Sequence, residues 1–157
     1  MNLQGSHKVK APRDRAWAAL RSPEVLRRCT PGCKQLVAVA EGAYDTVLEI
    51  GIGAIKGRFR GKIEITDRVA GSQYKLAVSA SGSAGFLNAE GVVDLKDADG
   101  ETLIEYSGQA QVGGPIAGVG QRMVDGVAKR LVGQFFDCFG KMMREEAEPP
   151  FDFRSGP

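Results

Sequence analysis

The last third of the chain constrains the fold most. A strand pattern ending at Val112 runs through Gly113-Gly114-Pro115 into one long helical pattern, about Ile116 to Glu146. At roughly 100° per residue, Gly120, Val124, Val127, Leu131, Phe135, Cys138 and Met142 share one sector, flanked by Ile116, Met123, Ala128 and Phe139. That sector is expected to face a sheet. Val132, Phe136 and Met143 lie beyond it, so the apolar face is too wide for a single packing partner. These three residues either pack under a loop or the helices near Trp17, or form an exposed strip that docks on a membrane or a partner. On the opposite side Gly126, Gly133 and Gly140 form a stripe. The stripe is either a coincidence in a chain with 21 glycines or a place for another backbone to approach.

Everything before that helix reads as short helices and antiparallel strands. Leu3, Gly5, His7 and Val9 alternate with polar residues in a first strand. Pro12 suits the first turn of a helix carrying Ala16, Trp17, Ala19 and Leu20. Ser22 is placed to cap a second short helix, which Pro31-Gly32 ends. Strands follow over Gln35 to Ala40, from Tyr44 to Ile52, and from Ile55 to Ile65, with Gly51 to Gly57 as a turn or bulge region. Tyr74, Leu76, Val78 and Ala80 carry the next strand, and Gly82 to Gly85 weakly break it. Leu87, Ala89, Val93 and Leu95 continue to a turn at Asp97-Ala98-Asp99-Gly100, and Ile104, Tyr106, Ala110 and Val112 make the last strand. Strands joined by short turns form a meander. The expected fold is α+β, a helix-grip: a curved antiparallel sheet around a long C-terminal helix, with two short helices after the first strand. Residues 1–146 form one domain in this reading, and 147–157 a flexible tail.

The inventory for chemistry is thin. His7 is the only histidine, which excludes a multi-histidine metal site within one chain. Cys29-x3-Cys33 has the wrong spacing for the usual zinc pair, and the Gly51-Ile52-Gly53 and Gly118-Val119-Gly120 clusters lack a full nucleotide fingerprint. Neither a metal nor an intrinsic cofactor is expected, and no catalytic residue is assigned. Glu105 and His7 are the nearest titratable candidates for an enzyme, with Glu105 outward on the strand register. Three cysteines and no apolar signal region suggest a reduced, cytoplasmic chain. A net charge of +2 gives no case for nucleic acid.

Two features point to function. Lys56, Arg58, Arg60 and Lys62 share the outer face of one strand, either a solvated face or a surface for anionic lipid or an acidic protein. Phe59 between them points inward, which weakens a nucleic-acid reading. The second feature is a cavity between sheet and helix. Its expected walls are Leu48, Ile50, Phe59, Ile63, Tyr106, Met123, Val127, Leu131 and Phe135, with Gly57, Gly61 and Gly108 removing volume. An apolar void of this kind suits a small molecule, and the Tyr106 hydroxyl is available to orient a carbonyl or hydroxyl group.

These residues also carry a family likeness. Leu3-x-Gly5-Ser6, Ala11-Pro12 with Trp17 and Leu20, Pro23-Glu24-Val25-Leu26, Cys29-Thr30-Pro31-Gly32-Cys33, Lys56-Gly57-Arg58-Phe59-Arg60-Gly61-Lys62 and Gln111-Val112-Gly113-Gly114 with Phe135-Phe136 stand in order along the chain. Together they resemble the CoxG family of carbon monoxide dehydrogenase subunits, a branch of the START/Bet v 1-like (SRPBCC) superfamily. The resemblance implies an apolar tunnel under the final helix that binds a lipid or a respiratory quinone. It further implies a link between aerobic carbon monoxide dehydrogenase and the inner face of the cytoplasmic membrane. It supplies no catalytic residues. A ligand-free recruitment adaptor and a cyclase- or hydrolase-type enzyme are the alternatives.

Overall fold

The computed structural model describes residues 1–147, with side chains to Glu145. Of the expected tail, 147–157, Ala147 ends the last helix and the rest lies outside the described residues. Seven strands and three α-helices follow in the order β1 (Asn2–Val9), α1 (Arg13–Ala19), α2 (Pro23–Cys29), β2 (Cys33–Ala40), β3 (Ala43–Ile52), β4 (Ile55–Val69), β5 (Gln73–Gly82), β6 (Gly85–Ala98), β7 (Glu101–Gly113) and α3 (Gln121–Ala147). The sheet order is β1-β7-β6-β5-β4-β3-β2. Strands β2 to β7 are the expected meander. The two short helices carry the chain from β1, on one edge, to β2 on the other.

Local chemistry sets the boundaries. Ser22 caps α2, its hydroxyl accepting the Val25 N–H at 3.4 Å. Asp99 and Gly100 take positive φ of 55° and 84°, the two-residue Asp-Gly hairpin turn that matches strand twist. The Gly51–Gly57 region is tighter than expected: Ile52 already pairs with Ile55, so Lys56 and Gly57 belong to β4. The long helix is also shorter than its pattern. Pro115–Val119 is a 3-10 turn, and Gly120, at φ 102°, breaks it from α3.

The sheet bends where side chains are missing. Gly91 of β6 pairs with Gly108 of β7. A Cβ built on Gly108 would sit 2.4 Å from the Glu90 carbonyl oxygen and 2.8 Å from the Gly91 Cα. A Cβ on Gly61 would sit 2.7 Å from the Ser79 oxygen. Neighbouring backbones approach there as only glycine permits, and the sheet curls.

The core gathers at one end of the grip. Ala16, Leu20, Leu26 and Cys29 of the short helices pack with Leu95 and Ile104 of the sheet and with Phe139 and Met143 of α3. Polar groups close this end. The buried Thr102 hydroxyl donates to the Ala11 carbonyl at 2.7 Å, and the Tyr44 hydroxyl to the Arg21 carbonyl at 2.6 Å. The Arg15 guanidinium donates to the Met143 carbonyl at 2.7 Å.

A cross-link adds to it. The odd cysteine count suggests no disulfide, but Cys29 of α2 and Cys138 of α3 are joined, with Cα atoms 5.3 Å apart and 109 residues between them in sequence. Only the packing of α2 on α3 brings them together, which no spacing rule reveals. The count therefore no longer supports a reducing compartment. Cys33 is the one free cysteine among the described residues. Closing so long a loop restricts the unfolded chain, so Cys138→Ser is expected to lower stability by about 2–5 kcal/mol. Thermal melts with and without a thiol reductant check this: the wild type should lose stability on reduction, and the variant should not respond.

Candidate functional site

Helix α3 has two packing partners, which explains its wide apolar face. On one side Cys138 and Met142 meet α2: Met142 Sδ lies 3.4 Å from Cys29 Sγ. On the other side Phe136 stacks on His7 of β1, with ring centroids 4.2 Å apart, and on Tyr106 of β7 at 5.6 Å. Phe139 and Met143 are fully buried. The sheet-facing side is thus centred on Val132, Phe139 and Met143, rotated roughly 90° around the helix from the sector expected to face the sheet. Of the two readings of Val132, Phe136 and Met143, the exposed strip is overturned and inward packing holds. Met143 is core, while Val132 and Phe136 face the space over the sheet.

Because α3 rests on α2 and β1, it bridges the middle of the sheet and leaves a hollow beneath it. The hollow has a volume of about 300 Å³. Leu76, Val78 and Ala80 of β5 and Ala89, Gly91 and Val93 of β6 form its floor. Leu48 and Thr46 of β3, Ile63 and Ile65 of β4, and Leu3, Tyr106 and Gly108 form its sides. Val132, Phe135 and Phe136 roof it, and Leu20, Leu26, Thr30 and Tyr74 close the end near the short helices. Two wider depressions on the convex face are lined largely by outward polar residues such as Lys62, Glu64, Asn88 and Gln109. They are far more polar than the hollow under α3.

Of the expected walls, Leu48, Ile63, Tyr106 and Phe135 line the hollow, and Ile50, Phe59, Met123, Val127 and Leu131 do not. Each departure has a cause. Phe59 is buried, and its ring turns toward Gly57, where a built Cβ would lie 3.3 Å from it. Ile50 reaches toward Gly32, its Cδ1 3.2 Å from a Cβ built there. Met123 sits in the first turn of α3, beyond the Gly120 break, and is 44% exposed. Val127 and Leu131 belong to the sector that the rotation of α3 moves off the sheet. The expected wall also omits β5 and β6. Their alternation is readable in the sequence, and in a meander the middle strands occupy the middle of the sheet. That signal is enough to place them.

Few polar groups face the hollow. Thr46 is satisfied by the Gln35 carbonyl at 2.9 Å. The Tyr106 ring lies across Gly5, where a Cβ would come 2.6 Å from its hydroxyl, so Gly5 is what lets the phenol lie flat. Burial pushes the Tyr106 pKa up. Burial does the same, more strongly, to Tyr74, with Arg21 opposing. Both tyrosines stay neutral donors at neutral pH. His7 does not line the hollow; burial lowers its pKa and Asp137 partly offsets this. Glu105 points outward and binds Lys96 at 2.7 Å. Among the described residues no cluster of potential metal ligands occurs.

The charged strand is outward as expected, with Lys56, Arg58, Arg60 and Lys62 exposed. Arg58 pairs with Glu49 at 2.8 Å and Lys62 with Asp45 at 3.7 Å. The glycine stripe of α3 admits no backbone: a Cβ on Gly126 or Gly133 meets nothing within 4 Å.

The family model for CoxG, a carbon monoxide dehydrogenase subunit, matches residues 5–143. The chain belongs to the CoxG family. A solved conserved protein from Geobacillus kaustophilus is 41% identical to this CoxG-family chain, covers 92% of it and 96% of its own length, and superposes with a TM-score of 0.87. A START superfamily protein from Mycobacterium smegmatis shares the fold at 12% identity and a TM-score of 0.72, over 92% of this chain and 97% of its own. The Zhui aromatase/cyclase from a Streptomyces species does so at 10% identity and 0.68, over 95% and 96%. No curated protein matches the chain. The fold is therefore START-like.

The His7 environment gives a pH test. Its folded pKa lies below the ordinary value of 6.5, so the unfolded chain binds the proton more readily. His7 thus adds no penalty above pH 6.5, and stability falls as pH drops from 6.5 toward the folded pKa. His7→Asn is expected to flatten that part of a stability–pH curve measured by urea unfolding.

Proposed function

We propose that this CoxG-family protein is a non-enzymatic carrier. It holds a respiratory quinone or similar lipid in the hollow under α3 and links an aerobic carbon monoxide dehydrogenase to the cytoplasmic membrane. The observation that carries the reading is the apolar hollow of about 300 Å³ between α3 and the central strands. That volume is at the small end for ligand sites, enough for a ring and the start of a chain, with the rest of a long tail leaving the grip. The Tyr106 ring supplies an aromatic side wall for such a ring. The family name supports the dehydrogenase as partner. No helix among the described residues is long and apolar enough to cross a membrane, so membrane contact in this reading is peripheral.

The aromatase/cyclase neighbour raises an enzymatic alternative. The carboxylate and imidazole such chemistry would recruit are engaged elsewhere, Glu105 with Lys96 and His7 with Phe136, which favours binding over turnover. A ligand-free adaptor is the other alternative. Native mass spectrometry with lipid extraction tests the carrier: a quinone or lipid should co-purify or bind on titration. Leu76→Trp, which fills the floor, should weaken binding about tenfold or more while far-UV circular dichroism is unchanged. Absence of any bound lipid, with no response to a quinone analogue, rejects the carrier.

A further inference from the structure

The apolar strip that the sequence offers as a contact edge is inside the protein, and a different surface has the character expected of it. Three segments carry no charged residue: 50–55, 76–89 and 106–121. Their turns meet in space. The Ile116 N–H donates to the Ala84 carbonyl at 2.8 Å, and a Cβ on Gly57 would lie 2.8 Å from the Ala84 Cβ. The β3–β4 turn, the β5–β6 turn, the 3-10 turn and the start of α3 thus form one end of the grip, away from the end that α1 and α2 close.

This tip is apolar and open. Met123 is 44% exposed, Ile52, Ile116 and Val119 are partly exposed, and a Cβ on Gly53, Gly118 or Gly120 would meet nothing within 4 Å. Exposed cations flank it: Lys56 follows the β3–β4 turn and Arg122 lies in the first turn of α3. Neither forms an ion pair among the described residues. The nearby acids are already engaged: Glu49 with Arg58 and Asp125 with the Gln121 amide. Tryptophan, tyrosine and arginine, the usual anchors of a protein interface, are absent from residues 50–55, 81–85 and 115–120. Low apolar turns flanked by free cations complement a bilayer, where the turns reach the acyl boundary and the cations meet phosphates.

We propose that this tip is the surface by which the protein docks on an anionic lipid membrane. The inference rests on the peripheral membrane contact of the carrier reading and assigns its location. The test is co-sedimentation with vesicles of phosphatidylcholine alone and of phosphatidylcholine with phosphatidylglycerol, at low and near-physiological salt. The wild type is expected to bind the anionic vesicles and to be released by salt. Ile52→Asp with Met123→Asp, and separately Lys56→Glu with Arg122→Glu, are expected to lose about tenfold or more of that binding while keeping the native circular dichroism spectrum and quinone-analogue binding in solution. Unchanged vesicle binding by folded tip variants, or no wild-type binding to any vesicle, overturns the proposal even where the analogue still binds. Vesicle binding lost with the tip, but no analogue bound by the wild type, upholds the tip and rejects the carrier.

Discussion

The structure depends on how α3 is shared. Its C-terminal half is held from two sides, by α2 through Cys138 and Met142 and by β1 and β7 through Phe136. A helix fixed this way cannot also sink onto the central strands. The space over β5 and β6 stays unfilled because filling it would cost contacts at both supports. Burying Phe139 and Met143 stabilises the closed end by roughly a few kcal/mol each, and that same packing sets the height at which Val132, Phe135 and Phe136 span the hollow.

The floor answers to the same constraint. Ala80, Ala89, Gly91 and Gly108 are small where a full-sized side chain would reach the roof. The glycines act twice, since they also let adjacent backbones crowd and the sheet curl. Curvature and emptiness therefore have one origin in sequence. Tyr106 and Phe136 then seal one flank, backed by His7, with nearly parallel rings, the His7 and Tyr106 planes within 6°. Offset stacking of this kind adds to area burial without polar partners, which suits a wall whose neighbour is a void.

Charge is divided by region rather than by amount. A net +2 is unremarkable, but the tip turns hold no charge while the unpaired cations Lys56 and Arg122 flank them. On the remaining outer surface cations and acids alternate in ion pairs such as Lys75 with Glu90 and Lys96 with Glu105. Exposed pairs of this sort contribute little to stability. Their effect is to balance charge locally along the outer face of the sheet.

Period-two alternation dictates which residues of each strand face inward, and turn chemistry such as Asp99-Gly100 dictates where the strands reverse, because both are local properties of the chain. The helix-grip architecture follows from element order. Three of the nine expected wall residues, Leu48, Ile63 and Tyr106, line the hollow for the same local reason, and Phe135 joins them from α3. What local patterns do not contain is the rotation of α3. Counting apolar positions finds the wide face but gives the sheet the sector that α2 occupies, which puts Val127 and Leu131 in the wall and Val132 and Phe136 outside it. The disulfide is invisible for a related cause, since Cys29 and Cys138 become neighbours only through helix packing across 109 residues. Sequence determined the faces of the strands and the existence of a long amphipathic helix. Only tertiary packing decided which way that helix turned, because two competing supports divide its apolar surface between them.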